Sequence, residues 1–588
     1  MARLLNQTKL DERKAPQTGS HGDSVRGRVL DLGDRLDHAV EGSRGDLKVA
    51  PTGKPARTMG GRVSLLAPAA AWVFFLAFWG QGVRDIVGWA GFGVIAAVSM
   101  VGLVWLFAKA GQKIQWMSMP TWPIIFTILS AVSIAWSQWA TETFAASAIL
   151  AGTTVVGIVL AMSLPFETMI WALLRSTQVG LVLSFAMEVV VAVFIQKPIV
   201  PLYMLSWDKV PELYQWINGD LLKGGPIQGF VANRNPLAFL ALICALTVVV
   251  LWMSGRMKTG SAATWMGVSA LTLLLTRSAT VTMALAASAA VLGFLLFLRR
   301  VAPERRDGMI SIAKVAAVFA IVIAVLHRSD IMLLLGRSED MTGRAYIWER
   351  VLELWNLHPV LGWGWIMAWA PWIPTFKYLV VRPDGTPTMQ AHNTWIETLF
   401  QMGIVGLVVL VIAVYLTTRR ALRVAKVGMD HDLITILPAL LMTAMLVQSL
   451  TESRFLQEGN WILYVALATC VNARSISGFL DGDLDSQKST LDLGTDDVFA
   501  PHSVRSGAKA LWQSIVSLLV VPQDGAGHAA GTAAAPAELG SVDFKDLDAR
   551  VAERRVRQRG AVVGDDAARR DGEGVESVVP LLSVKVGE

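Results

Sequence analysis

The chain is 588 residues long, 53% hydrophobic and only 17% charged, with a mean hydropathy of +0.49. Soluble domains carry about 25% charged residues, so this balance excludes an ordinary soluble enzyme. The net charge of +6 sits largely in short basic connections between apolar stretches, so no nucleic-acid partner is implied.

Residues 1–60 are rich in Asp, Arg, Gly and Ser and read as a disordered tail. No signal peptide is expected, because about sixty polar and charged residues precede the first apolar run. Targeting then falls to that first run. Apolar stretches long enough for membrane helices follow near 63–81, 87–108, 120–138, 143–164, 175–195, 236–254, 261–277, 280–298, 310–326, 394–417, 433–450 and 457–474. The expected fold is all-α: a polytopic membrane domain over 61–474 with about twelve spans. A long polar loop covers 327–393, and a second disordered tail follows over 475–588. In that tail GTAAAPAELG is of low complexity, and LWQSIVSLLVV at 511–521 is too short to span.

Alternate loops are basic. Lys109 and Lys113, Arg256 and Lys258, Arg299, Arg300, Arg305 and Arg306, then Arg419, Arg420, Arg423 and Lys426 fall on one side. The positive-inside rule makes that side, and with it both termini, cytoplasmic in the plasma membrane. Loops near 139–142, 196–235, 327–393 and 451–456 then face outward. Cys244 and Cys470 both lie in apolar stretches, where two structural thiols are expected rather than a disulfide or metal framework.

Polar groups in this greasy background are the candidates for chemistry. Arg277 is the sole charge between Lys258 and Arg299. An intramembrane charge marks a functional site by default, the alternative being an Arg that snorkels to the headgroups; the polar neighbours Ser278 and Thr280 favour a pocket mouth. Arg344 opens a helical pattern in which Tyr346, Ile347, Val351, Leu354 and Trp355 form an apolar face, with Glu349, Arg350 and Glu353 solvated. A cation at a helix start opposes the macrodipole, so Arg344 calls for an anionic partner, and guanidinium grips phosphate oxygens in a fixed fork.

His392, in AHNTW before the next apolar run, is placed to act as a general base. The alternative is that His392 and Asn393 simply cap that helix, Asn being a favoured cap. His358 precedes Pro359 and reads as a C-terminal dipole partner of the Arg344 helix. Trp363, Trp365, Trp369 and Trp372 read as interfacial anchors, with sugar stacking as the alternative. Arg175 and Glu188 would belong to a translocation path if the chain were a transporter, but no internal repeat supports that fold.

No GxxxxGK[ST] motif is present, so ATP is not expected to drive the protein. No HExxH or closely spaced carboxylate set appears in the outward loops, which argues against a zinc enzyme. Nor is there a carboxylate pair for glycoside hydrolysis.

The ordered set GR–xxx–W, HPVLGWG and AHN leading into FQMGIVG over 343–406 resembles the membrane-embedded O-antigen ligase and polysaccharide polymerase superfamily. A weaker resemblance extends back to GFVANRNPLA at 229–238 and forward to TESRF at 451–455. Gln401 departs from it, since such proteins often carry an acidic residue there. The resemblance implies metal-independent, cofactor-free, inverting transfer of a glycan from a polyprenyl diphosphate at the outer membrane face. Its acceptor would be a hydroxyl on a glycan, lipid or protein. By the same resemblance Arg277 and Arg344 correspond to diphosphate-binding arginines and His392 to the base. Trp348, His358, Asn393, Arg234 and Glu452 stand in supporting positions. Two reactions compete, ligation to a different acceptor and polymerisation onto the next lipid-linked repeat unit. One base with two arginines, carried by the 327–393 loop save for Arg277, favours ligation. Sugar identity and oligomeric state are left open.

Overall fold

A computed structural model describes residues 65–472, apart from 113, 328–329, 331–342, 368 and 383–384. Both tails, including 511–521, lie outside the described residues. The described chain is helical and carries no β-strand, only two isolated bridges. The elements are α1 (Leu66–Lys109), α2 (Thr121–Val132), α3 (Ala140–Ser163), α4 (Phe166–Val190), α5 (Arg234–Met253), α6 (Thr259–Thr276) and α7 (Ala279–Arg300). There follow α8 (Pro303–Leu326), α9 (Arg344–Trp355), α10 (Pro374–Lys377), α11 (Thr394–Gly428), α12 (Leu437–Ser449) and α13 (Glu458–Cys470). By length and composition six of these are apolar enough to cross a membrane: α1, α3, α4 with its extension to Ile195, α5, α7 and α11. The chain is an all-α polytopic membrane protein.

Each of the apolar stretches expected from sequence falls on helix. The stretch expected at 175–195 begins nine residues earlier, at Phe166, because Pro165 and the first-turn Glu167 favour a helix start there. The stretches expected at 63–81 and 87–108 are the two legs of α1. Gly88 interrupts them with φ 73° and ψ 175°, a conformation open essentially to glycine alone. The break is a reversal, because the Trp72 indole donates to Ser99 Oγ at 3.0 Å. In a straight helix 27 residues would separate them by about 40 Å.

The bundle has two polar ends, and loops predicted to share a side meet each other. At one end Arg256, between α5 and α6, donates to Glu167 at 2.8 Å and to both oxygens of Asp432 at 3.0 and 2.7 Å. Arg306 at the start of α8 forks onto Asp430 at 2.6 and 2.9 Å, and Lys426 pairs with Asp307. At the other end α1 and α13 are tied by Arg84 and Glu458. There Glu188 of α4 accepts from the backbone amides of Gln228 and Gly229, each at 2.8 Å. That use of Glu188 fastens the 196–233 connection. Arg175 bonds Gln178 at 3.0 Å and lies 13 positions away, about 20 Å along the helix, so the two do not form a translocation pair.

α5 runs through the centre and is buried on nearly every side from Pro236 to Leu251. α8 shows the opposite pattern, exposing Ile312, Val315, Val318, Phe319 and Val322 as a helix facing lipid would. A second, separate apolar cluster sits under the long loop. It joins Ile347, Val351 and Leu354 of α9 to Trp363, Ile366, Trp369, Phe376 and Phe400.

Two readings of that loop are corrected. Trp363, Trp365 and Trp369 are 4%, 0% and 0% exposed and form cores rather than anchors. Two of the indoles find partners, Trp363 donating to Leu354 O and Trp369 to Glu397, whereas Trp365 Nε1 is buried without one. Trp372 alone of the four is on the surface, 70% exposed and bonded to Glu142. The buried face of α9 is Ile347, Val351 and Leu354. Tyr346 points away at 55% exposed, because successive residues of a helix diverge by 100° and only one of Tyr346 and Ile347 can face the cluster squarely. The solvated face holds the Arg350–Glu353 pair.

The motifs HPVLGWG and FQMGIVG interlock. α11 breaks at Gly403 with φ 62° and ψ −166°, and the freed backbone groups pair with residues 359–364. Ile404 N donates to Pro359 O and Val405 N to Val360 O, at 3.0 and 3.2 Å. In return Trp363 N and Gly364 N donate to Phe400 O and Gln401 O, at 3.3 and 2.9 Å. A Cβ at Gly403 would collide with the Val360 carbonyl, and one at Gly362 with that of Gln401. The glycines permit the backbones to touch, which satisfies groups that a broken helix would otherwise bury unpaired.

Candidate functional site

Glu452 is the centre of a polar cluster at the second end of the bundle. It follows α12 in an extended conformation, φ −145° and ψ 143°, and is 2% exposed. Its Oε1 accepts from Arg344 Nη2 at 3.0 Å and from Asn235 Nδ2 at 2.8 Å. Its Oε2 lies 3.2 Å from His392 Nδ1. Burial works against the charge on this carboxyl. The His392 hydrogen bond and the charges of His392, Arg344 and Arg454 outweigh it, and hold the group below the ordinary value of 4.5. The anionic partner that Arg344 calls for at the start of α9 is therefore present within the chain.

The positions of Arg344 and His392 follow from local structure. Gly343, with φ 81°, turns the chain into α9 and leaves Arg344 on the first turn. His392 holds φ 51°, a region that non-glycine residues rarely adopt. Its neighbours fix it there. Trp348 Nε1 donates to Ala391 O at 2.9 Å, and Ala391 N donates to Glu397 Oε2 at 2.7 Å. Asn393 Oδ1 then caps α11 by accepting from Trp395 N and Ile396 N, while its Nδ2 donates to Leu450 O at 2.9 Å. Asn393 caps the helix, and His392 is turned onto Glu452.

Arg277 is reached by another route. It ends α6 in the left-handed region, φ 49° and ψ 42°. The next residue, Ser278, donates to Asn235 Oδ1 at 2.9 Å, and Asn235 in turn bonds Glu452. Thr280 meets Thr451 at 2.9 Å. The turn holding Arg277 is thus tied to the cluster on two sides, while its own exposed side chain bonds no other described residue. Of four non-glycine residues with positive φ among those described, two are Arg277 and His392. Backbone outliers concentrate where a structure over-determines a functional geometry.

The remaining candidates divide. Arg234 is the first residue of α5, beside Asn235. His358 is not part of the cluster. It is exposed, packs edge-on against Trp363 with ring centroids 4.4 Å apart, and lines a separate surface cavity with Trp136 and Gln138. It follows the end of α9, which closes at Asn356, and its backbone N donates to Trp355 O at 2.9 Å.

Two contributors escaped the sequence reading, Asn235 and Glu397, while Ser278 was read as a polar neighbour of Arg277. Glu397 is fully enclosed, accepting from Trp369, Gln401, Ala391 N and Ser453. It is the one charge in the apolar run 394–417, the same signal that singled out Arg277. Gln401, the departure from the family pattern, serves this carboxylate and accepts from Ile366 N at 2.7 Å.

Comparison with known proteins bears on what this cluster does. Residues 262–411 match the protein family described as O-Antigen ligase. Over that segment the chain is similar to the O-antigen ligase and polysaccharide polymerase superfamily. The matched segment includes Arg277, Arg344 and His392, while Arg234 and Glu452 lie outside it. The chain is also similar to the exopolysaccharide production protein ExoQ of Rhizobium meliloti (strain 1021), with 26% identity over 196 residues. That alignment covers 31% of this chain and 43% of the relative, so the chain spans less than half the length of the relative it matches.

Proposed function

We propose that this protein transfers a glycan from a polyprenyl diphosphate to an acceptor hydroxyl at the outer face of the plasma membrane, during production of cell-surface polysaccharide. Both comparisons support a ligase or polymerase role in polysaccharide production. The observation that carries the chemistry is the bridging of Arg344 and His392 by one buried carboxylate, Glu452.

Glu452 at Nδ1 orients the imidazole and stabilises its protonated form, leaving Nε2 to take the acceptor's proton. The acceptor oxygen attacks the anomeric carbon from the face opposite the diphosphate, which inverts its configuration. As the new C–O bond forms, the bond to the diphosphate breaks and its electron pair leaves on phosphate oxygen. Arg277 and Arg344 stabilise that growing negative charge, the task otherwise met by a metal ion. A diphosphate is already a good leaving group, so a base suffices and no second acid is required. The basic loops at the Arg256 end support a cytoplasmic location for that end and for both termini.

The test is glycan transfer from a polyprenyl diphosphate donor in proteoliposomes containing wild type, Arg277→Ala, Arg344→Ala or His392→Ala. Full transfer by all three variants would overturn the mechanism. Similarity to an exopolysaccharide production protein supports a second reading, in which the acceptor is another lipid-linked repeat unit. Supplying that unit alone separates the two: chain growth indicates polymerisation, and transfer only when a different acceptor is added indicates ligation.

A further inference from the structure

A second polar cavity adjoins the Glu452 cluster. Gln81 and Arg84 of α1, Gln448 of α12, Arg454 of the following turn, and Glu458 and Asn460 of α13 line about 60 Å³. A water needs about 10–15 Å³ measured this way, so the space suits a few waters or one small planar group. Arg454 is two residues from Glu452, and Pro236, also in the wall, follows Asn235. Two residues span at most about 7 Å, which makes the two sites neighbours.

The wall is short of acceptors. Arg84 uses Nη1 on Glu458 at 3.2 Å and Nη2 on Gln81 Oε1 at 3.0 Å, and its buried Nε has no partner. Asn460 Nδ2 occupies Gln448 Oε1 at 2.8 Å, leaving the Gln448 Nε2 buried without a partner in a side chain 1% exposed. Arg454 donates through Nη1 to Gln457 at 3.3 Å. Arg84 is held in place over the rings of Trp89 and Phe92, at 4.8 and 5.0 Å. Unsatisfied buried donors are costly, and both of these belong to residues of this wall. Among the lining side chains two guanidiniums face a single carboxylate. Glu452 offsets part of the Arg454 charge from outside the wall, and planar carboxylate oxygens match guanidinium geometry.

We propose that this cavity binds the carboxylate of an acidic sugar in the transferred glycan, an assignment that rests on the glycan-transfer reading. It would hold the saccharide in register with the neighbouring His392, selecting glycans that carry an acid at the right position.

Titration calorimetry on the full-length, detergent-purified protein tests this with sodium glucuronate, glucose and inorganic phosphate. Glucuronate should bind measurably more tightly than glucose. Arg454→Gln should weaken it by about tenfold or more, and Arg454→Lys by less, because the charge persists without the fork. Gln448→Met removes the orphan donor while keeping side-chain length, and should weaken glucuronate alone. Equal binding of glucose and glucuronate overturns the proposal, as does unchanged glucuronate affinity in monodisperse Arg454→Gln and Gln448→Met. Phosphate binding more tightly than glucuronate, with the same Arg454 dependence, makes this a lipid-headgroup site instead and also overturns it. Arg277→Ala should leave glucuronate binding intact while transfer is lost. Failure of the transfer reading is therefore visible separately from failure of the cavity assignment.

Discussion

The two polar ends of the bundle use the same residue types to different effect. At the Arg256 end each guanidinium meets its carboxylates directly. The pairs are partly solvated, with side chains of Arg256, Glu167 and Asp432 25%, 18% and 17% exposed. At the Glu452 end one carboxylate, 3% exposed at its side chain, serves Arg344, His392 and Asn235 at once. Solvated pairs add modest stability and little else. A buried carboxylate shared by a guanidinium and an imidazole is expensive to assemble, and its geometry persists only where surrounding structure enforces it. Pairing by itself therefore does not distinguish structure from chemistry; burial together with backbone constraint does.

Substitutions should divide along that line. His392→Ala is expected to lower transfer most, by about 10²–10⁴-fold, the range for loss of a general base, in the proteoliposome assay with donor binding retained. Glu452→Gln keeps the shape but not the charge. Transfer should fall about 10²-fold or more in the same assay. Full transfer by Glu452→Gln would assign the carboxylate a purely structural role.

Glu452 also makes stability depend on pH. Its folded-state value lies below 4.5, so its contribution is complete above the ordinary carboxylate range and disappears as pH falls through the depressed value. Thermal unfolding across mildly to strongly acidic pH should show this slope in wild type and lose it in Glu452→Gln.

Gly403→Ala should destabilise by about 1–3 kcal/mol from its backbone conformation alone, with the Val360 clash adding to it. Thermal unfolding reads the loss, and transfer should fall with it because His392 and α11 are held by the same interlock. Arg256→Ala should have the smallest effect on transfer, which stays unchanged, while thermal unfolding reads the loss of its bonds to Glu167 and Asp432. A large loss of transfer in Arg256→Ala would break the contrast between the two ends.

Much of this was legible in the chain. Runs of apolar residues located the helices, because a bilayer leaves the backbone no alternative within it. Asn393 announced a helix start, and the isolated charge Arg277 announced a special turn. Other features were not legible. An indole at the membrane surface and an indole in a core look the same in sequence, so Trp363, Trp365 and Trp369 were misread. Tyr346 and Ile347 competed for one face, and the cluster chose Ile347.

The sequence by itself determined that this chain crosses a membrane repeatedly as helices, where those helices lie, and which residue types carry charge into an apolar setting. These are local properties, set by hydropathy, caps and glycine. Only the tertiary structure decided that Glu452 joins Arg344 and His392, 108 and 60 residues away, and that Ser278 and Asn235 bring the turn of Arg277 to the same place. Which distant groups meet depends on packing, on the reversal at Gly88 and on the break at Gly403, and no local pattern encodes it.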